Sequence, residues 1–265
     1  MAECLATGPE SVPFVLVVSV LAASLALVAV FESRRGQASD GSRNLLQRWV
    51  LGIGLWALGT ALGGAIMPDR AAGFLVFDRF ACLPAVVQFG VLVIAIDFLQ
   101  TLIHRELHRW PLLWRFHAIH HADRRFDTAT SLRFHPIETL LRSAADAALV
   151  LCLGPAPIVI SVAVIFLSVW NVFDHGRLAL PPAMARGLER LFVTPDYHRV
   201  HHAVDRSMHD SNFGGVFTLW DRWLGWYRRP AEPAFEVGVD GWRAGDDLLS
   251  NLGAPLRAEP LPPSC

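Results

Sequence analysis

Lysine is absent: all 23 basic residues are arginine, against 24 acidic ones, for a net charge of −1. That balance lacks the basic excess of a nucleic-acid-binding chain, and the bias toward arginine reads as the base composition of a bacterial genome rather than as chemistry. Cysteine is scarce as well. Cys4, Cys82, Cys152 and Cys265 stand far apart with no CxxC pair, so neither a disulfide framework nor a thiolate metal site is signalled. Charged residues reach only 18% while hydrophobic ones make up 53% of 265 residues. An ordinary water-soluble globule carries about 25% charge and a disordered chain carries more still, so both are excluded in favour of a membrane protein.

Residues 11–30 and 49–67 carry no charge, and each matches the ~20 residues that cross a bilayer's hydrocarbon core. The first stretch is too long for a signal-peptide core and has no cation before it, so it is expected to be retained. A third run, 80–103, is interrupted inside its length by Asp97 and leads helically into a charged stretch at 104–108. Residues 147–173 form a fourth uncharged run, broken by Gly154-Pro155-Ala156-Pro157. A break of that kind ends a helix, so the run reads as either one tilted span or a hairpin whose first limb borrows residues 140–146. Arg34, Arg35, Arg43 and Arg48 between the first two spans, and Arg105, Arg109, Arg115, Arg124 and Arg125 after the third, put both segments in the cytoplasm by the positive-inside rule. Trp49, Trp110, Trp114, Trp170, Trp220, Trp223 and Trp226 suit an interfacial belt. The expected architecture is an all-α polytopic bundle of about four to five membrane helices. It divides into a transmembrane pair over 1–79, a region over 80–229 with a cytoplasmic helical cap, and a Pro-rich cytoplasmic tail over 230–265.

All 11 histidines fall between His104 and His209. They are patterned: His104 and His108 as HxxxH, then His117, His120 and His121 as HxxHH, then His198, His201 and His202 as HxxHH again. Spacings of three and four put side chains on one helical face, a common way of presenting two nitrogens to one metal. Eight imidazoles exceed the four that a closed structural zinc site uses and suffice for two ions. Neutral nitrogen donors suit iron, copper, zinc or nickel, so residue type alone leaves the metal open. A histidine-rich metal transporter or sensor is a rival reading, but its polar groups would line the spans, and these spans are nearly bare.

The segments HRELH, WRFHAIHH at 114–121, TPDYHRVHH at 194–202, HDSNFG and LWDRWLGWY together resemble the sterol desaturase and fatty acid hydroxylase superfamily over about residues 90–230. The resemblance implies a membrane-bound, histidine-held di-iron enzyme that uses dioxygen and two electrons to hydroxylate or desaturate an unactivated C–H bond of a sterol, fatty-acyl or other lipid. It implies iron ligation by His104, His108, His117, His120, His121, His198, His201 and His202, with zinc as a substitute in isolated protein. His175 and His135 match further family histidines, the alternative for each being a capping or interfacial role, and His209 reads as an outer or surface residue. Two departures stand out: Thr101 and Phe213 occupy places where the family often has tyrosine. They bear on substrate class, or on a catalytically inactive scaffold, more than on metal binding.

Metal-bound histidines pass their second N–H to a carboxylate or carbonyl. Asp97, Asp210 and Asn212 are the expected partners, with Glu106 and Asp196 as further candidates; an ionisable Asp97 inside a span is costly enough to suggest function. No fused electron-transfer domain is apparent, so a separate reductase, ferredoxin or cytochrome-type donor is expected, and no nucleic acid. If the boxes share one site, the chain between His121 and His198 crosses the membrane an even number of times, which favours the hairpin. The expected location is a bacterial inner membrane with the histidines on the cytoplasmic side.

Overall fold

The computed structural model describes residues 23–24, 42–65, 80–178, 180–229, 235–242 and 247–257. The expected first span at 11–30 and the cations Arg34 and Arg35 lie outside the described residues, apart from a helical fragment at 23–24. The described chain is helical throughout, with two isolated β-bridges in place of any strand.

Four longer helices and one box helix form the frame: α1 (Ser42–Gly64), α2 (Ala85–Arg109), α3 (Pro111–His121), α4 (Pro136–Leu153) and α5 (Pro157–Asp174). Among the described residues, α2 and α5 are long and apolar enough to cross a membrane. Their outer faces carry exposed valine and isoleucine, as at Val86, Val91, Ile94 and Val162, while Leu92, Val93 and Ile96 pack inward on Val150, Val159, Ile160 and Ala163. A helix apolar on both its buried and its exposed side is one built for lipid rather than water. The 147–173 run is divided as its sequence implies. Gly154 ends α4 with a left-handed φ of 64°, and Pro157 opens α5 at a position where its missing N–H costs nothing.

The expected span at 49–67 differs. Its helix begins earlier, at Ser42, and is not one of the two that pass as spans. Five glycines lower its apolarity, and two of them serve close packing: a Cβ at Gly59 would stand 2.7 Å from Thr139 Oγ1, and Gly63 abuts Ser143 in the same way. Two glycines four residues apart thus let α1 lie tight against α4. Arg48, counted above as a loop cation, sits within α1 and is buried. Its guanidinium donates to Asp123 at 2.7 Å and to both oxygens of Asp127 at 2.7 and 2.8 Å. Its charge is therefore committed to the segment following the second box.

From residue 180 the chain folds into short helices α6 (Pro182–Leu188), α7 (Pro195–His201), α8 (Arg206–His209) and α9 (Leu219–Leu224). The tail is less loop-like than its prolines imply. Asp247 caps α10 (Leu248–Gly253) by accepting from Ser250 N–H at 2.8 Å, and Leu248 and Leu252, one turn apart, pack on Leu51, Leu55 and Ile119. An apolar pair at that spacing is enough to seat a short helix against α1 and α3.

Candidate metal centre

The third box is seated by Thr194, which caps α7, and Pro195 at its first turn; the second follows from Pro111 at the start of α3. The structure brings nine histidines together in two groups. His104, His108, His117, His121 and His201 form one; His120, His175, His198 and His202 form the other. Within each, the potential ligand atoms lie within 4.8 Å of one another. All nine rings are buried.

Each HxxHH box serves both groups. Consecutive helical residues point about 100° apart, so the adjacent pair His120 and His121 divides between the groups, as does the pair His201 and His202. The second box adds His117 to the five-donor group and the third adds His198 to the four-donor group, while α2 supplies His104 and His108 to the first and the end of α5 supplies His175 to the second.

Outer hydrogen bonds decide which nitrogen faces inward. His104 Nδ1 donates to the Phe213 carbonyl at 2.9 Å and His201 Nδ1 to the Ser211 carbonyl at 2.7 Å. His175 Nδ1 donates to the Asn171 carbonyl at 2.8 Å, beside the Asp174 carboxylate. His117 Nδ1 donates to Glu138 at 2.9 Å. A carbonyl oxygen can only accept, so Nδ1 carries the proton and Nε2 presents a bare lone pair. Yet, with His121 Nε2 beside them at 3.1 Å from His117 Nε2, the bare Nε2 of His104 lies 3.0 Å from that of His117 and 2.9 Å from that of His201. Lone pairs at that separation repel unless a cation stands between them. Two nitrogens each ~2.1 Å from one ion and at right angles about it stand ~3.0 Å apart, which is the observed spacing. In the second group His175 Nε2 lies 3.2 Å from His120 Nε2 and 3.1 Å from His198 Nε2, and both nitrogens of buried His202 lack a hydrogen-bond partner. The donor set thus fits two metal ions.

Burial, and then the neighbouring imidazoles, push His120, His121, His198 and His202 well below the usual histidine value; burial does the same to His201. These rings are neutral at pH 7, as metal ligands must be.

His135 is not brought to either group. Its Nδ1 accepts from Ile137 N–H at 3.1 Å and so caps α4. His209 packs its ring 4.8 Å from His108 and 4.6 Å from His121. Of the expected outer partners, Asp210 meets His108 Nδ1 at 3.2 Å. Asp97 instead accepts from Val216 N–H, Phe217 N–H and the Trp220 indole at 2.7, 3.1 and 2.7 Å. It holds the loop whose Phe213 carbonyl orients His104, one step removed from the ring. Asn212, at a φ of 56°, donates to the carbonyls of Tyr197 and Arg228 and so pins the same loop. Glu106 pairs with Arg105, Arg109 and Trp110 at the surface, and Asp196 is exposed. Phe213 packs its ring edge-on to His104, His108 and His201.

The carboxylate missed from sequence is Glu138, which also accepts from Arg142 Nε at 2.9 Å. A buried acid at the start of a largely apolar helix was the available signal. Replacing an outer partner of this kind lowers metal affinity roughly 10–100-fold. Glu138→Gln is therefore expected to weaken the five-donor group by that factor in a chelator competition, with helicity unchanged; equal affinity would show that Glu138 does not set the His117 ring.

A cavity of about 320 Å³ opens onto both groups, with His104, His120, His175 and His198 in its wall and Gln100, Arg142 and Asp146 beside them. Gln100 donates to Asp146 at 2.6 Å and accepts from Arg142 at 2.9 Å.

A fatty acid hydroxylase family model matches residues 89–226, which contain all nine of these histidines. The chain is 28% identical to an ornithine lipid hydroxylase of Rhizobium tropici over 65% of its own length and 51% of the relative's. It is 31% identical to an alkylglycerol monooxygenase of Caenorhabditis elegans over 48% of its length and 24% of the relative's. It is 26% identical to a Delta(7)-sterol 5(6)-desaturase of Aspergillus fumigatus over 84% and 65%. The chain thus spans about half the length of the first of these relatives and a quarter of the second. No solved structure matches it. With its histidine boxes inside the matched region, the chain belongs to the fatty acid hydroxylase and sterol desaturase superfamily.

Proposed function

We propose that this protein is a multi-pass membrane oxidoreductase that holds two iron ions, one in each histidine group, and oxidises an unactivated C–H bond of a lipid. The observation that carries the reading is the set of Nε2 lone pairs of His104, His117 and His201 turned toward one another at 2.9–3.0 Å by outer hydrogen bonds, an arrangement that a cation between them would stabilise. Bound iron would supply dioxygen activation, in which C–H, O2, two electrons and two protons give C–OH and water.

The chain's own part is placement. The cavity on the two groups is walled by α1, α2, α4 and α5, so an acyl chain or sterol from the bilayer can present one C–H bond to them. Gln100, Arg142 and Asp146 offer polar contacts to a headgroup. Burial of all nine rings excludes water, and positioning of the C–H bond decides between hydroxylation and desaturation. In this reading α2, α4 and α5 are spanning helices of the 80–229 catalytic region, the first two spans precede it, and the boxes face the cytoplasm of a bacterial inner membrane. Electrons come from a separate donor.

Purified protein reconstituted with iron, a chemical reductant and isotopically labelled dioxygen tests this on ornithine lipid, an alkylglycerol and a sterol. An oxidised lipid dependent on iron and on His120 is expected, with label in any alcohol formed. Failure to bind iron, or iron binding that survives loss of the histidines, would overturn the reading.

A further inference from the structure

The box helix α7 has a second face. While His198 and His201 point into the two groups, Tyr197 and Val200 floor a groove of about 350 Å³ on the other side, between α6 and the segment following α9. Arg186, Arg199, Arg228 and Arg229 line it and are exposed. Of the acids that line it, Glu189 is buried and engaged by Arg229 at 2.9 Å and Thr194 at 3.0 Å, which leaves Asp196 against the guanidiniums of Arg186, Arg199 and Arg228, none of them in an ion pair among the described residues. Between them lie Leu180, Pro182, Tyr227 and Phe235. An apolar and aromatic centre with a charged rim is the anatomy of a protein-binding surface.

Resting on the oxygenase reading, we propose that this groove is where an acidic one-electron carrier protein docks to reduce the metal centre. The carrier loses one electron per encounter and the centre gains it, so two encounters serve each C–H bond oxidised. The groove floor and the ligating nitrogens are separated by the width of one helix, about 10 Å. No residue of α2, α4 or α5 lines the groove, so it faces away from the lipid cavity, and lipid and reductant approach α7 from opposite sides. The wall is also rigid. Tyr197 OH donates to Asp221 at 2.9 Å, Asn212 donates to the Tyr197 and Arg228 carbonyls, and Arg228 N–H donates to Asn212 at 2.8 Å. Asp221 and Asn212 belong to the frame that presents the Ser211 and Phe213 carbonyls to His201 and His104, so docking meets a surface already ordered.

The test uses the full chain in phosphatidylcholine nanodiscs, with and without iron, against two acidic carriers: a plant-type ferredoxin and the soluble domain of a cytochrome b5. Binding of at least one is expected, weakening with added salt and falling about tenfold or more when Arg186→Glu and Arg199→Glu are combined, since like charge then faces like charge. Arg186→Glu alone, outside the box, should show a smaller loss in the same direction. With iron present, reduction by the carrier should slow in parallel while reduction by dithionite stays unchanged. Binding of neither carrier, or equal binding by the variants, would overturn the proposal. Loss instead of binding to phosphatidylglycerol vesicles, with carrier binding retained, would also overturn it by making the groove a membrane contact. Failure of the oxygenase reading shows separately, as absence of bound iron in protein whose carrier binding is still measured.

Discussion

Replacing His201 with alanine is expected to empty one ion site, and replacing its neighbour His202 to empty the other. The two residues are adjacent on α7, yet His201 shares its group with His104, His108, His117 and His121, and His202 with His120, His175 and His198. Each variant should retain one metal per chain, bound in a different environment and distinguishable by Mössbauer or absorption spectroscopy. Lipid oxidation should fall in both by more than the roughly 10–100-fold that loss of an outer partner costs, because the proposed reaction uses both ions. His120→Ala should behave like His202→Ala, and His121→Ala like His201→Ala. If the His201 and His202 variants lost the same metal, the two-group division would be wrong; retention of both metals by either would remove that histidine from the ligand set.

Arg48→Ala is expected to destabilise the protein by about 3–5 kcal/mol, the cost of leaving a buried carboxylate without its partner. That is a large part of the ~5–15 kcal/mol that typically separates folded from unfolded chains. Arg48 and Asp123 side chains are only 5% and 4% exposed, so solvent does little to screen the loss. Burial pushes the Asp123 carboxyl up, but Arg133 and Arg48 outweigh it and hold it below the ordinary carboxylate value. A carboxylate depressed in the folded state contributes stability at neutral pH that is lost as pH falls through the carboxylate range to the folded value. Without Arg48 that contribution shrinks, so the gap between variant and wild type should be widest at pH 7 and close on acidification. Thermal unfolding in detergent at several pH values measures both effects. Because Asp123 follows His121 by two residues, bound metal should fall along with stability. A change within ~0.5 kcal/mol, as for an ordinary surface residue, would show the network to be dispensable.

The reach of sequence reasoning followed the range of the forces involved. The helices Ala85–Arg109 and Pro157–Asp174 were legible because apolar length and a Gly-Pro break act locally. The start of the helix Ser42–Gly64, and the use of Gly59, Gly63 and Arg48, were not legible because they depend on α4 and on Asp123 and Asp127, which lie far along the chain. Asp97 was a sound suspicion attached to the wrong partner: its cost inside a span is visible in sequence, but the loop at 216–220 that meets it is more than 100 residues away.

Alone, the sequence determined the class of the protein, the three histidine boxes and the donor type, since helical periodicity and residue chemistry are properties of short segments. Tertiary structure decided that His175 joins the boxes while His135 caps a helix, that Glu138 meets His117, and that neighbouring histidines fall into different groups. Those outcomes depend on how helices distant in sequence are rotated against one another, and packing sets that rotation.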